Sequence, residues 1–206
     1  MDRAEHPEPF TKSLRMHPFT RTFSDKRIPL GLRDEYVGVG DHIAYFWETP
    51  KEFREAVCFL EVGLEREEFC VIFGHTEGNR RVSECLAERG YDCARLEAEG
   101  RLVIVPVQTT RAHMLSTIGY VFTAALERGT TLIRLLADIR GGGDGRPVEK
   151  DLLEFEARVV GAAKQFPCVV VCMYEVSALP GGVILHGAFE THSLTLFRNI
   201  VRTSSR

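Results

Sequence analysis

This 206-residue sequence lacks the features of membrane proteins and of strongly basic nucleic-acid-binding proteins. No apolar run approaches the roughly eighteen residues of a membrane-spanning helix, so we predict no transmembrane segment and no membrane partner. The net charge is −3, whereas domains that bind nucleic acid over a broad surface are typically basic. The six cysteines form no CxxC pair, and we interpret them as buried, reduced thiols.

Motifs of common catalytic sites are also missing. There is no GxSxG, and no serine stands beside a visible catalytic partner. The glycine-rich segment Gly141 to Gly145 has neither the GxGxxG spacing of dinucleotide-binding loops nor the lysine and hydroxyl residue that end a phosphate-binding loop. We therefore predict a protein that is not an enzyme and that needs no cofactor.

The composition that remains is that of an ordinary soluble globular protein. Hydrophobic residues make up 44% of the chain and charged residues 27%, and the length suits a single domain. The first ten residues, MDRAEHPEPF, are polar and contain no apolar signal-peptide core, so we expect a cytoplasmic protein.

Residues 1–36 differ from the rest of the chain because they are rich in proline and show little hydrophobic periodicity. We predict an irregular basic N-terminal arm here and a folded domain over residues 37–206. From Lys12 to Arg33, six basic residues stand against one acidic residue, Asp25. The arm is either simply solvated or a contact for nucleic acid, for a partner protein or for a neighbouring subunit.

The segment from Gly40 to Thr76 carries the clearest structural pattern. Two short runs rich in β-branched and aromatic residues, 42–46 and 71–73, predict buried strands. Between them, apolar residues recur at helical spacing at Phe53, Ala56, Val57, Leu60 and Leu64. A strand, a helix and a second strand form a βαβ crossover, which predicts a parallel sheet covered on both faces.

The same alternation continues along the chain. Further helices and strands are predicted over 78–89, 102–107, 112–127, 131–137, 149–165 and 169–173. The last run is the most strongly β-like, which predicts a central strand, and an edge strand is expected over 193–197. The predicted fold class is α/β, a three-layer sandwich with a mostly parallel central sheet.

Polar and aromatic residues follow almost every predicted strand. Ligands of such folds bind outside the carboxyl ends of the strands, where these residues converge on one rim. The candidate ligand-binding residues of this rim are Tyr45, Trp47, Glu48, His75, Asp138, Arg140, Tyr174 and Glu175.

Several motifs, taken together, resemble one known family. In chain order they are DHIAYFWE, FLEVGLE, FCVIFG, ERGYD, EGRLVIVPV, CMYE and THSL. They are similar to motifs of the MEDS domain, the sensory domain named for methanogens, methylotrophs and the dichloromethane-responsive repressor DcmR. The resemblance covers about residues 38–200 and implies a fold similar to the RecA-like ATPase core of the KaiC group.

The phosphate-binding loop of those ATPases has no counterpart here. FWETPKEF takes its place, without the glycines that let backbone amides approach a phosphate and with Glu48 where an anion would bind. Lys51 retains a positive charge, but Glu52 follows it where a serine or threonine would stand. Asp138 is either a remnant of the Walker B acid or a partner of Arg140. The resemblance thus implies that nucleotide hydrolysis is lost.

The resemblance also assigns individual residues. His42 matches the family's histidine in the first strand, and His192 matches its late Thr-His motif. Tyr174 and Glu175 match its aromatic–acid pair. Ala44 stands where family members commonly have cysteine, so a role that depends on that thiol does not carry over. Family members sense small, often hydrocarbon-like ligands in transcription regulators and signalling kinases, which implies a similar role here.

Structural roles compete with functional ones for several of these residues. His42 is either a ligand or sensor group or a structural histidine at the start of its strand. Among the aromatic residues that follow it, we expect Phe46 in the core and Tyr45 or Trp47 at a ligand pocket, with Trp47 preferred.

The residue types alone include one candidate set of metal ligands. His42, His75, Cys172 and Tyr174 together would suit a metal ion, but no HxxxH or CxxC spacing supports such a site. We therefore predict no metal.

We predict a non-enzymatic sensor domain that binds a small, largely apolar molecule at the carboxyl rim of the sheet and acts in transcriptional or signal regulation. Its expected partners are that ligand and either a second copy of the chain or a signalling protein. Direct nucleic-acid binding is not expected beyond weak contacts of the basic arm. Two alternatives stay open: a divergent RecA/KaiC-type nucleotide-binding protein that uses Lys51, Asp138 and Arg140, and a structural oligomerisation module.

Overall fold

The fold is built on one seven-stranded sheet that carries helices on both faces. The computed structural model describes residues 27–106, 111–139, 159, 161, 163–178, 181, 190–198 and 200–203. Within these ranges no helix combines the length and the apolar character that a membrane crossing requires. The predicted α/β fold class with a mostly parallel central sheet is confirmed.

Strands and helices alternate along the chain as the sequence predicts. A two-stranded antiparallel ribbon comes first, formed by β1 (Ile28–Pro29) and β2 (Tyr36–Val37). The elements that follow are β3 (His42–Trp47), α1 (Pro50–Glu65), β4 (Phe69–Gly74), α2 (Thr76–Glu88), α3 (Cys93–Ala98), β5 (Leu102–Pro106), α4 (Arg111–Glu127), β6 (Ile133–Ile139), β7 (Cys168–Glu175), a 3₁₀ turn (Val176–Ala178), β8 (Leu194–Phe197) and β9 (Ile200–Thr203).

The strands of the sheet lie in the order β5-β4-β6-β7-β3-β8-β9. The pairs from β5 to β8 are parallel, and β9 runs antiparallel to β8. β7 is the middle strand, which confirms the prediction for residues 169–173. The prediction that 193–197 forms an edge strand is wrong, because β8 lies between β3 and β9. β9 was not predicted from the sequence, because all four of its side chains are exposed and it carries no buried apolar pattern.

One face of the sheet, called the α1 face from here on, is packed by α1, α2 and the β1–β2 ribbon. Successive strand residues point to opposite faces. A fully buried residue, Arg134 of β6, forms an ion pair with Glu68 inside this layer. Arg134 also donates hydrogen bonds to the backbone carbonyls of Pro29, Leu30 and Phe59, which ties the ribbon to the sheet. The strand residues buried on this face are Ile43, Tyr45, Trp47, Cys70, Ile72, Leu102, Leu136, Val169, Val171, Met173, Leu194 and Leu196.

The opposite face, called the α4 face, is packed by α4 and by residues around Ala163. The buried α4 residues of this layer are Met114, Phe122 and Ala125. With the α1 face on the other side, the arrangement is a three-layer sandwich. The strand residues buried on the α4 face are Ala44, Phe46, Phe69, Val71, Phe73, Val105, Ile133, Leu135, Ala137, Cys168, Val170, Cys172 and Tyr174.

The last part of the predicted N-terminal arm packs against the domain. Ile28, Leu30 and Leu32 are each no more than 3% exposed and belong to the core of the α1 face. Their alternation at i, i+2 and i+4 is the apolar pattern of a short extended segment. The predicted boundary after residue 36 falls inside β2, and residues 1–26 lie outside the described ranges. The domain division itself stays a prediction.

The helices differ from the prediction in detail. α2 begins at Thr76, two residues before the predicted start, and ends just before Arg89 and Gly90, whose φ of +89° suits glycine. α3 was not predicted, because six residues are too few to show a periodic pattern. Of the helix predicted over 149–165, the structure describes residues 159, 161 and 163 as helical, and the loop 141–145 lies outside the described ranges.

Candidate functional site

A cavity of about 220 Å³ lies on the α4 face, between the sheet and α4. Gly119 of α4 lines it, and among the described residues no atom lies within 4 Å of the place where a Cβ atom of Gly119 would stand. Cavities of roughly 150 Å³ with apolar walls bind benzene or xenon in proteins. The residues that line the cavity are Phe73, Leu115, Ile118, Gly119, Phe122, Leu135, Ala137, Val159, Ala163, Phe166, Val170 and Cys172.

Cys172, on the cavity wall, also belongs to a buried polar cluster with His42, His192 and Tyr174. His42 Nε2 lies 3.1 Å from Cys172 Sγ, and the centroids of the two imidazole rings are 3.9 Å apart. The Tyr174 hydroxyl lies 3.4 Å from His192 Nε2. All four side chains are at most 2% exposed. The sulfur of Cys172 therefore lies between an apolar chamber and three polar ring groups.

The parallel register of the strands brings the cluster together. β3 and β7 pair with His42 opposite Val170 and with Ala44 opposite Cys172. Because strand residues alternate between faces, His42, Ala44 and Cys172 all lie on the α4 face. His192 comes two residues before Leu194, where β8 pairs with β3. Three separate segments thus place the cluster beside the amino-terminal end of β3.

The surroundings of the two imidazoles define their chemistry. Burial, and then the neighbouring His192, hold the pKa of His42 well below its ordinary value of 6.5, so this ring is neutral at neutral pH. Thr191 Oγ1 lies 2.9 Å from His192 Nδ1 and orients that ring, so Nε2 is the nitrogen on the side of Tyr174. A neutral imidazole accepts a hydrogen bond or coordinates a metal ion.

Five other candidate residues lie at the carboxyl rim of the sheet, away from the cluster. Trp47, Glu48, His75, Asp138 and Glu175 stand at or just after the ends of β3, β4, β6 and β7, which are neighbours in the sheet. In the register, Trp47 is level with Glu175, and Gly74 is level with Asp138. The predicted convergence of these positions on one rim is therefore present in the fold, but their role in binding a ligand stays a prediction.

Several rim side chains are occupied by local contacts. Glu48 is ion-paired with Arg198 across the rim. The Asp138 carboxylate is buried against the first turn of α2, where a Cβ atom on Gly78 would collide with it. A carboxylate at this place is stabilised by the positive end of the helix dipole. Arg140, the predicted partner of Asp138, lies outside the described residues.

The aromatic candidates of β3 pack against α1. Trp47 is 3% exposed, meets Phe53 edge to face at 5.1 Å and lies under the guanidinium of Arg81. Tyr45 donates a hydrogen bond from its hydroxyl to the carbonyl of Glu52 at 3.0 Å. Both residues are thus buried on the α1 face, opposite the cavity. Phe46 lies in the core, on the α4 face, as expected, and a role of Trp47 at a ligand pocket stays a prediction.

The turn between β3 and α1 holds a carboxylate against its backbone amides. The Glu52 carboxylate accepts hydrogen bonds from the backbone amides of Glu48 at 2.8 Å and Thr49 at 3.0 Å, and the Thr49 hydroxyl accepts one from the amide of Glu52. This capping box starts α1, and its hydrogen bonds lower the pKa of Glu52, chiefly the one from Glu48. The amides at this helix start are thereby already bonded to a carboxylate.

Three of the four residues that suit a metal ion by type, His42, Cys172 and Tyr174, come together, whereas His75 stands at the carboxyl rim. His192 joins them, and the ligand atoms of His42, Cys172 and His192 lie within 4.8 Å of one another. The absence of a metal ion stays a prediction. Sequence spacing did not indicate this group, because its members come from three distant segments. The available signals were the family motifs, which named His42 and His192, and the predicted burial of the strands that hold His42 and Cys172.

Comparison with known proteins agrees with the motif resemblance. The model of the MEDS family, described as the methanogen/methylotroph, DcmR sensory domain, matches residues 41–193, which is well over half of the chain. The match runs from just before β3 to the residue before β8 and includes His42, Cys172 and His192. No curated protein matches the chain.

Proposed function

The chain belongs to the MEDS family of sensory domains, and from this premise we propose that it binds a small, largely apolar molecule in the cavity of the α4 face. The observation that carries the proposal is the cavity itself, with its volume of about 220 Å³ and its almost wholly apolar lining. Burying apolar surface of a ligand there is favourable by about 25 cal/mol per Å². The proposed ligand site is thus the sheet face and not the carboxyl rim.

The chemistry of the walls narrows the ligand class. Phe73, Phe122 and Phe166 offer aromatic surface, and Cys172 offers the polar corner through a thiol that also contacts His42. A small hydrocarbon derivative with one weakly polar atom matches this distribution, because its apolar body would fill the chamber and its polar atom would face the thiol. A strongly charged ligand would lose its hydration without a compensating partner on the walls.

The proposed consequence of ligand binding is regulatory. A ligand in the cavity bridges the sheet and α4, and so stabilises the position of that helix relative to the strands. We assign no catalytic step to the domain, and transcriptional or signal regulation through a partner protein or a second copy of the chain follows as its role. This output depends on ligand binding, which is therefore the step to test first.

The test is a thermal-shift and calorimetric titration of the purified chain with benzene, cyclopentane and chloroform. A ligand at one hundred times its Kd stabilises the folded state by about 2.7 kcal/mol, so the melting temperature is expected to rise. Gly119→Leu fills the chamber and is expected to abolish the shift. Gly161→Leu is the matched control, because Gly161 is also helical and unobstructed but does not line the cavity.

Two results would contradict this proposal. One is a melting temperature that none of the three apolar probes changes. The other is stabilisation by magnesium nucleotide alone, which would favour the nucleotide-binding alternative. The hydrogen bonds between Glu52 and the amides of Glu48 and Thr49 speak against that alternative, because a phosphate would have to displace the carboxylate.

A further inference from the structure

We propose that His42, Cys172 and His192 form a binding site for a thiophilic divalent transition-metal ion such as Zn²⁺. The three residues offer one ligand atom each, and these atoms lie within 4.8 Å of one another in a fully buried position. In a tetrahedral zinc site the ligand atoms are roughly 3.3 to 3.6 Å apart, as zinc–sulfur and zinc–nitrogen bonds of about 2.3 and 2.0 Å require. Small side-chain rotations therefore suffice to close the site.

The donor set fits such an ion chemically. One thiolate and two imidazoles are the ligands that Zn²⁺ and neighbouring late transition metals prefer, whereas Mg²⁺ and Ca²⁺ require oxygen. Binding would release the thiol proton of Cys172 and leave the ion with a single negative ligand.

Neighbouring groups hold the imidazoles in a ligating orientation. Thr191 Oγ1 lies 2.9 Å from His192 Nδ1, which leaves Nε2 of this ring on the cluster side. His42 points Nε2 at the sulfur, at 3.1 Å. In metal sites, a hydrogen bond to the second ring nitrogen fixes the ring in this manner. Both histidines would thus coordinate through Nε2, with Thr191 as a positioning residue.

The position of the site connects it with the cavity. Cys172 both faces His42 and lines the chamber, so an ion bound to its sulfur would stand at the cavity wall. Three protein ligands leave one coordination position for an exogenous group, as in zinc sites that bind small molecules. The metal site does not rest on the proposed ligand, because metal binding and apolar binding are measured separately and either can fail alone.

The experiment is a Co²⁺ titration of the full chain, stripped of metal with a chelator and kept reduced. We expect one Co²⁺ per chain, a thiolate-to-cobalt charge-transfer band in the near ultraviolet, and displacement of Co²⁺ by Zn²⁺. Cys172→Ser is expected to remove the band and to weaken binding by more than about 100-fold. Cys168→Ser is the matched control, because Cys168 lies on the same strand, is equally buried and donates to the carbonyl of Ala163.

A second pair of measurements separates the metal site from a purely structural cluster. Thr191→Val is expected to weaken Co²⁺ binding by about tenfold while the charge-transfer band persists, which a structural role would not produce. If Cys172→Ser does not fold, His192→Gln supplies the ligand deletion. The proposal is overturned if the unaltered chain binds no Co²⁺ at saturating concentration, or if a folded ligand-deletion variant retains the band and the affinity of the unaltered chain.

Discussion

The two faces of the central sheet differ in the pockets that they carry. The α1 face encloses a charged arginine, Arg134, with its counter-ion Glu68, and its pocket of about 330 Å³ has polar walls that include Arg33 and Glu55. The α4 face carries an apolar cavity of about 220 Å³, and Cys172 on its wall is in contact with His42. Both faces belong to the same strands, so the difference arises from what covers them. The comparison places the proposed ligand cavity on the α4 face and the buried ion pair on the α1 face.

Helical glycines show the contrast most directly. On the α1 face, a Cβ atom on Gly63 of α1 would lie 2.6 Å from Cδ of Arg134 and 2.9 Å from Sγ of Cys70. On the α4 face, a Cβ atom on Gly119 of α4 would meet no atom of the described residues within 4 Å. Glycine is therefore required at the first position by close packing, whereas at the second it leaves open space.

The largest expected effect comes from two adjacent leucines of β6 that point to opposite faces. Leu136 lies in the α1 face and Leu135 lines the cavity. We expect Leu136→Ala to lower the free energy of unfolding by about 4 kcal/mol and Leu135→Ala by about 2.5 kcal/mol, because the cavity side already lacks part of its packing contacts. Urea unfolding of both variants measures the difference. Equal losses would contradict the contrast between the faces.

The next largest effect on stability is expected from the buried ion pair of Arg134 with Glu68. Glu68→Gln leaves the fully buried guanidinium of Arg134 without a counter-charge, and we expect a loss of about 3 kcal/mol in the free energy of unfolding. The exposed pair of Arg95 with Glu99 serves as the control, with an expected loss below about 0.5 kcal/mol for Glu99→Gln. Ligand and metal binding on the α4 face should remain. A loss of that binding in folded Glu68→Gln protein would show that the faces are coupled.

The two glycines should respond to alanine with opposite signs. Gly63→Ala is expected to destabilise the domain by about 2 kcal/mol, because the new methyl group displaces Arg134 or Cys70. Gly119→Ala is expected to stabilise it by about 0.5 to 1 kcal/mol, because alanine favours the helix and the space is open. Thermal unfolding of both proteins checks the signs. Stabilisation by Gly63→Ala would remove the evidence for tight packing of the α1 face.

The smallest effect concerns pH and the α4 face. His42 is buried neutral against His192, Cys172 and Tyr174, and its folded-state pKa lies well below 6.5. The unfolded chain then binds the extra proton, so stability is complete above pH 6.5 and falls as the pH drops toward the folded-state pKa. Metal-free protein is therefore expected to have a lower free energy of unfolding at pH 5.5 than at pH 6.5.

The control for this pH effect is the His42→Gln variant, measured in the same buffers by urea unfolding. The free energy of unfolding of this variant should lack the part of the pH dependence that the His42 imidazole contributes. An identical slope in both proteins would place the titrating group elsewhere and would remove His42 as the pH-sensitive residue of the α4 face.

Much of the fold could be predicted because most elements carry an apolar pattern within their own short segment. The helical spacing of Phe53, Ala56, Val57, Leu60 and Leu64 became α1, and the β-branched run 169–173 became the central strand β7. Elements without a buried face left no such signal. α3 is a single short stretch, and β9 exposes all four of its side chains, so both were missed.

The site was only partly predictable, for a different reason. His42, Tyr174 and His192 were named as candidates from the family motifs, but the rim at which the ligand was expected holds Trp47 and Glu48 in contacts with Arg81 and Arg198. The volume of the cavity depends on how closely α4 packs against the sheet, and no local residue pattern specifies that distance. The place of Cys172 opposite Ala44 follows from strand register, which is a long-range property.

The sequence by itself determined which segments become strands and helices, the parallel α/β class and the membership of a sensory family, because apolar periodicity and local motifs are written along the chain. The tertiary structure decided the strand order that places β7 beside β3 and the register that brings Sγ of Cys172 within 3.1 Å of His42, 130 residues away. It also decided where the apolar cavity lies. These features depend on packing between segments that are far apart in sequence, where side-chain volume and register, not local propensity, select the arrangement.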